Sequence, residues 1–382
     1  MRVQSPRDSA SAVQLYDELT AGCTRRLRLE DLADEAGELA PDWLPTRSQM
    51  RNERRRPLAD KQGVELGQGE FISHVLADPR TGTHLTQAML LPTAEALAEL
   101  EEFRRIGVAD LGMVRVTREG KAGVLELRNP DYLNAEDGKT LGPTERAVDL
   151  ILLDPEIEVG VLRGGVVEHP RYAGQRVFGS GINLTHLYEG KIDFLFYLVR
   201  DLGFVNKIFR GIIDEDGTIT EKLWVAAVEQ YAIGGACQLL HVVDHVIAAR
   251  GSRLFLPARK EGIIPGASNL RLPRFVGDRA ARQAILSGRE WTAGDADAAA
   301  LVDEVVEPGE MEPALGARIT ALTDSGLVNA AANRRAIRVG EEPLDVFREY
   351  MAVFSAEQAR CHLSPALVRN LEVHWNAHRR TI

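Results

Sequence analysis

The 382-residue chain predicts an α/β fold with helical ends, on three observations. Its middle alternates short apolar strand patterns with helical ones, a hairpin signal opens that stretch, and both ends carry helical patterning. A length-over-150 prior allows about two to three units. The divisions fall at residues 1–110 (helical region), 111–300 (core) and 301–382 (helical tail).

In the first region, acid-rich "LEDLADEAGELAPDWL" and the amphipathic "TAEALAELEEFRRIGVADLG" after Pro92 read as helices. The basic run "RNERRRP", Arg51 to Pro57, reads as a solvated helix face. From about Gly112, "MVRVTREGKAGVLELRNP" alternates apolar and polar residues on both sides of Gly120, which predicts a hairpin. Helical "EDGKTLGPTERAVDLILL" then leads to the strand "EVGVLRG", and helical "FLFYLVRDLGFVNKIFRGI" leads to the strand "KLWVAAVEQYAIGG". "ACQLLHVVDHVIAA" reads as a helix before the short strand "RLFLP". Past about Asp295 the patterning is mostly helical, suited to covering the core or binding a neighbouring subunit.

Composition narrows the function classes. A formal net charge of −10 disfavours nucleic acid as a partner while leaving room for an anionic small ligand. No apolar run is long enough to cross a membrane, and "MRVQSPRDSASAVQ" lacks the apolar centre of a secretory signal, so a cytoplasmic protein without membrane partners is expected. Cys23, Cys237 and Cys361 are odd in number and far apart, which suits plain thiols. His241 and His245 stand one turn apart on the predicted helix, but without a third ligand the pair reads as structural, and no metal site is expected.

Three segments carry the chemistry. In "VFGSGINLTHL" two glycines flank Ser180, so that a backbone amide near Ile182 can point outward. In "AIGGACQLLHVVDHV" a strand runs through Gly234 and Gly235 into a helix start, where N–H groups are unpaired and backed by a partial positive charge. Two such amides form an oxyanion hole able to hold a thioester oxygen as it becomes an enolate. Either segment alone is equally well explained as a tight turn. The third, "LFLPARKEGIIPGA", gains meaning only beside them.

In this order and spacing the segments resemble the enoyl-CoA hydratase/isomerase (crotonase) family, from about Val114 to Pro308, with "LRNPDYLNA" like the family's first substrate-lining loop. The resemblance implies a crotonase-like spiral of ββα units, assembly as a homotrimer or homohexamer, and a coenzyme A thioester as substrate. It makes the amides of Ile182 and Gly235 the oxyanion donors. Hydratases of the family carry one glutamate three residues after the second oxyanion glycine and another after the next strand's proline; these slots hold Gln238 and Ala258. Neither side chain can shuttle a proton near neutral pH, so hydration is not expected.

The blocks "GQRVFGSGINLTHLYEGKIDFLFYLVRDLGFVNKIFRG" and "GGACQLLHVVDHVIAARGSRLFLPARKEGIIPGASNLRLPRFVGDRAARQAIL" are similar to members of the family that oxidise an arylacetyl-CoA thioester with O2. This likeness implies a dioxygenase with O2 as co-substrate and neither metal nor organic cofactor. Within it, Glu136 and Arg200 are expected to bind the substrate's ring oxygens, and Gln238 to hydrogen-bond substrate or an ordered water. Leu184 and Ile263 are expected to supply an apolar oxygen pocket. A helix-terminal carboxylate, a structural ion pair and ordinary core packing are the plain alternatives for Glu136, Arg200 and the two aliphatic residues. His186, Tyr188 and Lys260 are open candidates for the coenzyme A arm, and no base for the α-proton is identified. The rival readings are an acyl-CoA thioesterase or hydratase, for which the sequence places no carboxylate, and a non-catalytic acyl-CoA-binding relative.

Overall fold

A computed structural model describes residues 8–324 and 327–379. Twelve strands form: β1 (Val108–Asp110), β2 (Val114–Glu119), β3 (Ala122–Leu127), β4 (Val159–Gly164), β5 (Ile212–Ile213), β6 (Ile219–Thr220), β7 (Leu223–Val228), β8 (Tyr231–Ile233), β9 (His245–Ala249), β10 (Arg253–Phe255), β11 (Glu290–Thr292) and β12 (Glu304–Val306). The large sheet has the order β1-β2-β3-β4-β7-β9-β12. Its first three strands are antiparallel, with the expected hairpin turning at Gly120, and the rest run parallel. Strands β4 and β7, "VGVLRG" and "LWVAAV", are buried at every residue, as strands covered on both faces must be.

A smaller sheet of order β11-β10-β8 is extended by a bridge between Gly179 and Ala232. The two sheets grow together: β7 is followed by β8, β9 by β10, and β11 by β12, each pair giving one strand to each sheet. Helices Gly138–Leu153, Gly235–Leu239 and Ser268–Ser287 separate the turns. This is the expected spiral of ββα units.

One expectation fails here. "ACQLLHVVDHVIAA" is not one helix: the helix ends at Leu239, and residues 245–249 are β9, inside the large sheet. "HVIAA" is a short apolar run, and such a run in a doubly covered parallel strand has the same hydrophobic pattern as a buried helix turn. His241 and His245 therefore do not share a helix. His241 faces the Ser268 hydroxyl at 3.1 Å, and burial pushes its imidazole down to about 3.

Two apolar cores meet at the helix Leu195–Leu202. One lies around the large sheet and includes Trp224, Leu162 and Phe178. The other is helical: it gathers Tyr16, Leu32, Phe71 and Ile72 from the N-terminal helices, Phe347 and Met351 from helix Leu344–His362, and Leu367 from helix Pro365–Trp375. Helix Glu65–Ala77 packs so closely on Leu344–His362 that a methyl on Gly69 would lie 2.4 Å from the Ala359 Cβ. All eight residues of Leu195–Leu202 are buried.

Buried ion pairs tie the helical layers to the core. Lys207 holds Glu145 at 2.8 Å and Asp149 at 2.7 Å, and Arg28 from the N-terminal region joins Glu145 at 2.5 Å. In the tail, Glu342 is fully buried and accepts from Arg271, Arg210 and Arg274. Burial alone would raise the Glu342 carboxyl, but these guanidiniums hold it below its usual range. Glu342→Gln would leave two buried guanidiniums without a carboxylate, and should cost about 3–5 kcal/mol of unfolding free energy in urea titrations.

Candidate active site

The site lies where the spiral meets the helical core. Gly181, at φ +82°, and the turn Gly234–Gly235 pass so close that a methyl on Gly181 would sit 3.2 Å from the Gly235 nitrogen. Glu136 and Ile182 form a parallel bridge, in which Glu136 N–H donates to the Gly181 carbonyl and Asn183 N–H donates to the Glu136 carbonyl, both at 2.7 Å. The pleat of such a bridge turns the Ile182 N–H to the opposite side. Gly235 opens a helix whose preceding residue, Gly234, offers no capping side chain. Neither the Ile182 nor the Gly235 amide donates a hydrogen bond to another described residue.

Arg200 holds the arrangement together. Its Nε and Nη2 donate to the two oxygens of Glu136, the latter at 3.0 Å. Nη2 also donates to the Gly235 carbonyl at 2.8 Å, and Nη1 to Gln238 Oε1 at 3.0 Å. Arg200 and Glu136 are 3% and 6% exposed, so the pair is screened from water. Burial opposes the charge of Arg200, yet Glu136 and then Asp201 hold the guanidinium above its ordinary value. Gly235 has to lack a side chain, because a methyl there would come within 2.7 Å of Glu136 Oε1.

The cavity beside these groups encloses about 450 Å³ of empty space, its open mouth included. Glu136, Ile182, Arg200, Gly235, Gln238 and Ile263 all line it, together with Ala258. Leu184 does not; it packs behind, in the apolar cluster that holds Ile182, Ile263 and Ile264. Of the open candidates, His186 Nδ1 pairs with Asp137 at 2.9 Å, the Tyr188 hydroxyl donates to Glu372 at 2.9 Å, and Lys260 borders a separate depression with Arg259 and His374.

Three lining residues carry no sequence signal of their own: Tyr197, Asp201 and Glu261. Glu261 ends the short helix Ala258–Glu261, one turn after the methyl of Ala258. In "PARKEG" it reads as part of a solvated charge run; in the fold it is 8% exposed and burial pushes its carboxyl up to about 7. The tail causes this burial. Gln358 accepts from the Ile264 amide at 2.8 Å, and Tyr350 donates to the Gly266 carbonyl at 2.5 Å, so that helix Leu344–His362 clamps the loop after Glu261.

Among the described residues no group of three or more His, Cys, Asp or Glu side chains is placed to hold a metal ion, and no helix is long and apolar enough to cross a membrane. Burial pushes the Cys237 thiol up to about 12, so it is not a nucleophile at neutral pH.

Residues 118–338 match the enoyl-CoA hydratase/isomerase family. The chain is 48% identical over 355 residues to the (3,5-dihydroxyphenyl)acetyl-CoA 1,2-dioxygenase of Amycolatopsis orientalis, spanning 92% of this chain and 81% of that one. It is 31% identical over 205 residues to the short-chain-enoyl-CoA hydratase of Clostridium acetobutylicum, spanning 53% of this chain and 72% of that one. Among solved structures, an enoyl-CoA hydratase from Mycobacterium avium subsp. paratuberculosis superposes with a TM-score of 0.57 at 21% identity, covering 69% of this chain and 98% of that one. One from Bacillus halodurans gives 0.56 at 19%, covering 69% and 100%. At such identities the structures speak to the fold.

Gly266 tests the packing of the site. At φ +46° its added methyl would lie 2.4 Å from Gln238 Oε1 and 2.7 Å from Asp201 Oδ1. Gly266→Ala should therefore cost about 1–3 kcal/mol in chemical denaturation, from overpacking and backbone strain together.

Proposed function

This chain belongs to the enoyl-CoA hydratase/isomerase family, and we propose that within it the protein is a dioxygenase of (3,5-dihydroxyphenyl)acetyl-CoA. Substrate and O2 are converted to 3,5-dihydroxyphenylglyoxylate and free coenzyme A, a step suited to making the aryl amino acids of glycopeptide antibiotics. The relative from Amycolatopsis orientalis, similar over nearly the whole chain, carries this reading. The site's chemistry agrees with it: the two hydratase acid–base slots hold an amide and a methyl, while both main-chain donors are kept.

The amides of Ile182 and Gly235 take the thioester oxygen and stabilise the enolate, at about 2.7–4 kcal/mol for each donor. The aryl ring spreads the carbanion's charge further. Triplet O2 reacts poorly with closed-shell molecules, but such an electron-rich enolate can pass it one electron directly, so the reaction is assigned no metal or organic cofactor. Superoxide and the substrate radical combine at the α-carbon. The peroxide's outer oxygen then attacks the thioester carbonyl and expels the coenzyme A thiolate. Breakage of the O–O bond, with loss of the second α-hydrogen as a proton, leaves the α-keto carboxylate.

Glu136 and Arg200 fix each other's geometry and offer their unfilled hydrogen-bonding capacity to the ring hydroxyls. Gln238, held by Arg200, orients substrate or a water. Ile263, on the cavity wall, and Leu184 behind it form the apolar side from which O2 approaches. A dry site also protects the enolate from reprotonation. We assign the protein to the cytoplasm as a homotrimer or homohexamer.

The thioesterase rival has one observation in its favour, the Glu261 carboxylate in the cavity, and stoichiometry decides between them. Protein stripped of metal should consume one O2 for each thiol released from (3,5-dihydroxyphenyl)acetyl-CoA; thiol without O2 uptake would identify a thioesterase. Replacing Ile182 by its α-hydroxy acid exchanges the N–H for an ester oxygen with little change of shape. It should lower kcat by ~10²–10³-fold if that amide holds the oxyanion.

A further inference from the structure

We propose that Glu261 is the base that removes the α-proton of the bound arylacetyl thioester, an inference that rests on the enolate reading above. Glu261 lines the same cavity as Ile182, Gly235 and Gln238, one helical turn beyond the position where hydratases of the family keep a glutamate. Its side chain makes no hydrogen bond or ion pair with any described residue, although it is 8% exposed.

The other buried carboxylates nearby are partnered. Glu136 is held by Arg200; Asp201 accepts from the Ala267 amide at 3.2 Å and lies 3.7 Å from Arg200. Glu145 and Asp149 share Lys207. A carboxyl buried without a partner is costly to ionise, and the chain keeps one beside two amides aimed at an oxyanion. Burial, with no cation beside it, places the acidity of Glu261 at about 7, which suits a general base at neutral pH.

The titratable groups on the cavity wall are Glu136, Tyr197, Arg200 and Asp201. Burial first, and then the charge of Glu261, hold the Tyr197 phenol well above its ordinary value. Behind Tyr197 a polar line continues outward. The Tyr197 hydroxyl lies 3.3 Å from His362 Nδ1, His362 Nε2 lies 3.4 Å from Glu65, and Glu65 pairs with Lys61 at 2.5 Å. Lys61 and His362 border a second depression on the opposite side of this line. Burial keeps the His362 imidazole neutral, at about 3, so one nitrogen can accept a proton while the other donates. From the C-terminal helix Pro365–Trp375, which packs on this short helix, Glu372 is engaged by Tyr188.

The step is a simple transfer. The α-C–H bond breaks, an O–H bond forms on Glu261, and the electron pair passes into the enolate held by the two amides. Later in the cycle the Glu261 proton returns to the departing thiolate sulfur, while the second α-proton leaves to solvent.

The test separates this step from oxidation. Under anaerobic conditions in D2O, wild-type protein with (3,5-dihydroxyphenyl)acetyl-CoA should exchange the α-hydrogens, at a rate that rises with pH through about 7. Glu261→Gln should slow that exchange by ~10²-fold or more and remove its pH dependence. The variant should fold: a carboxyl raised on folding loses stability as pH climbs from its unfolded value towards about 7, so Gln should be at least as stable as Glu above that pH. Exchange by the variant at the wild-type rate with the wild-type pH profile would overturn the assignment. Wild-type exchange without O2 uptake in air would sink the dioxygenase reading and leave the base standing.

Discussion

One guanidinium fixes the geometry on which the site depends. Arg200 binds both oxygens of Glu136, the Gly235 carbonyl and the Gln238 carboxamide, and so joins three segments distant in sequence. Because the backbone of Glu136 is bridged to Ile182, holding its side chain against Gly235 also sets the spacing of the two donor amides. A planar, permanently charged fork can meet these acceptors together; an ammonium, a point charge on a flexible stem, cannot replace it. Buried from water, such a pair is costly to break, since either partner alone would be an uncompensated charge. The arrangement is thus present before any ligand arrives, as electrostatic catalysis requires.

The helices outside the spiral serve the same end. The solved hydratases are covered almost completely by this fold, yet they account for only about two thirds of this chain. Much of the remainder builds the second apolar core, into which the helix carrying Tyr197, Arg200 and Asp201 is sunk. Gln358 and Tyr350 reach from that core to the loop after Glu261. An enolate destined for O2 must be kept from protons, and these helices supply walls where a smaller fold would meet solvent.

Much of this was legible in the sequence, for identifiable reasons. The hairpin at Gly120 and the strands "EVGVLRG" and "RLFLP" show clear periodicity or clear turn residues, and all three form. The segment 236–249 misled because an apolar run covered on both faces has no period to distinguish strand from helix. Glycines at close backbone approaches, with the family likeness, pointed to Ile182 and Gly235, and the fold brings them to one cavity with Glu136, Arg200, Gln238 and Ile263. Leu184 stands one layer back, since a neighbour in sequence need not share a wall. Glu261 escaped notice because its burial is imposed by residues about a hundred positions away, and its neighbours Arg259 and Lys260 are exposed.

The central claim is that two main-chain amides polarise a thioester carbonyl, and vibrational spectroscopy of the bound ligand reads this directly. With a ¹³C-labelled thioester carbonyl bound under anaerobic conditions, the account requires a stretch at clearly lower frequency than in water, moving back when the Ile182 amide is replaced by an ester. A bound carbonyl that absorbs at its aqueous frequency, and is indifferent to that replacement, would contradict it.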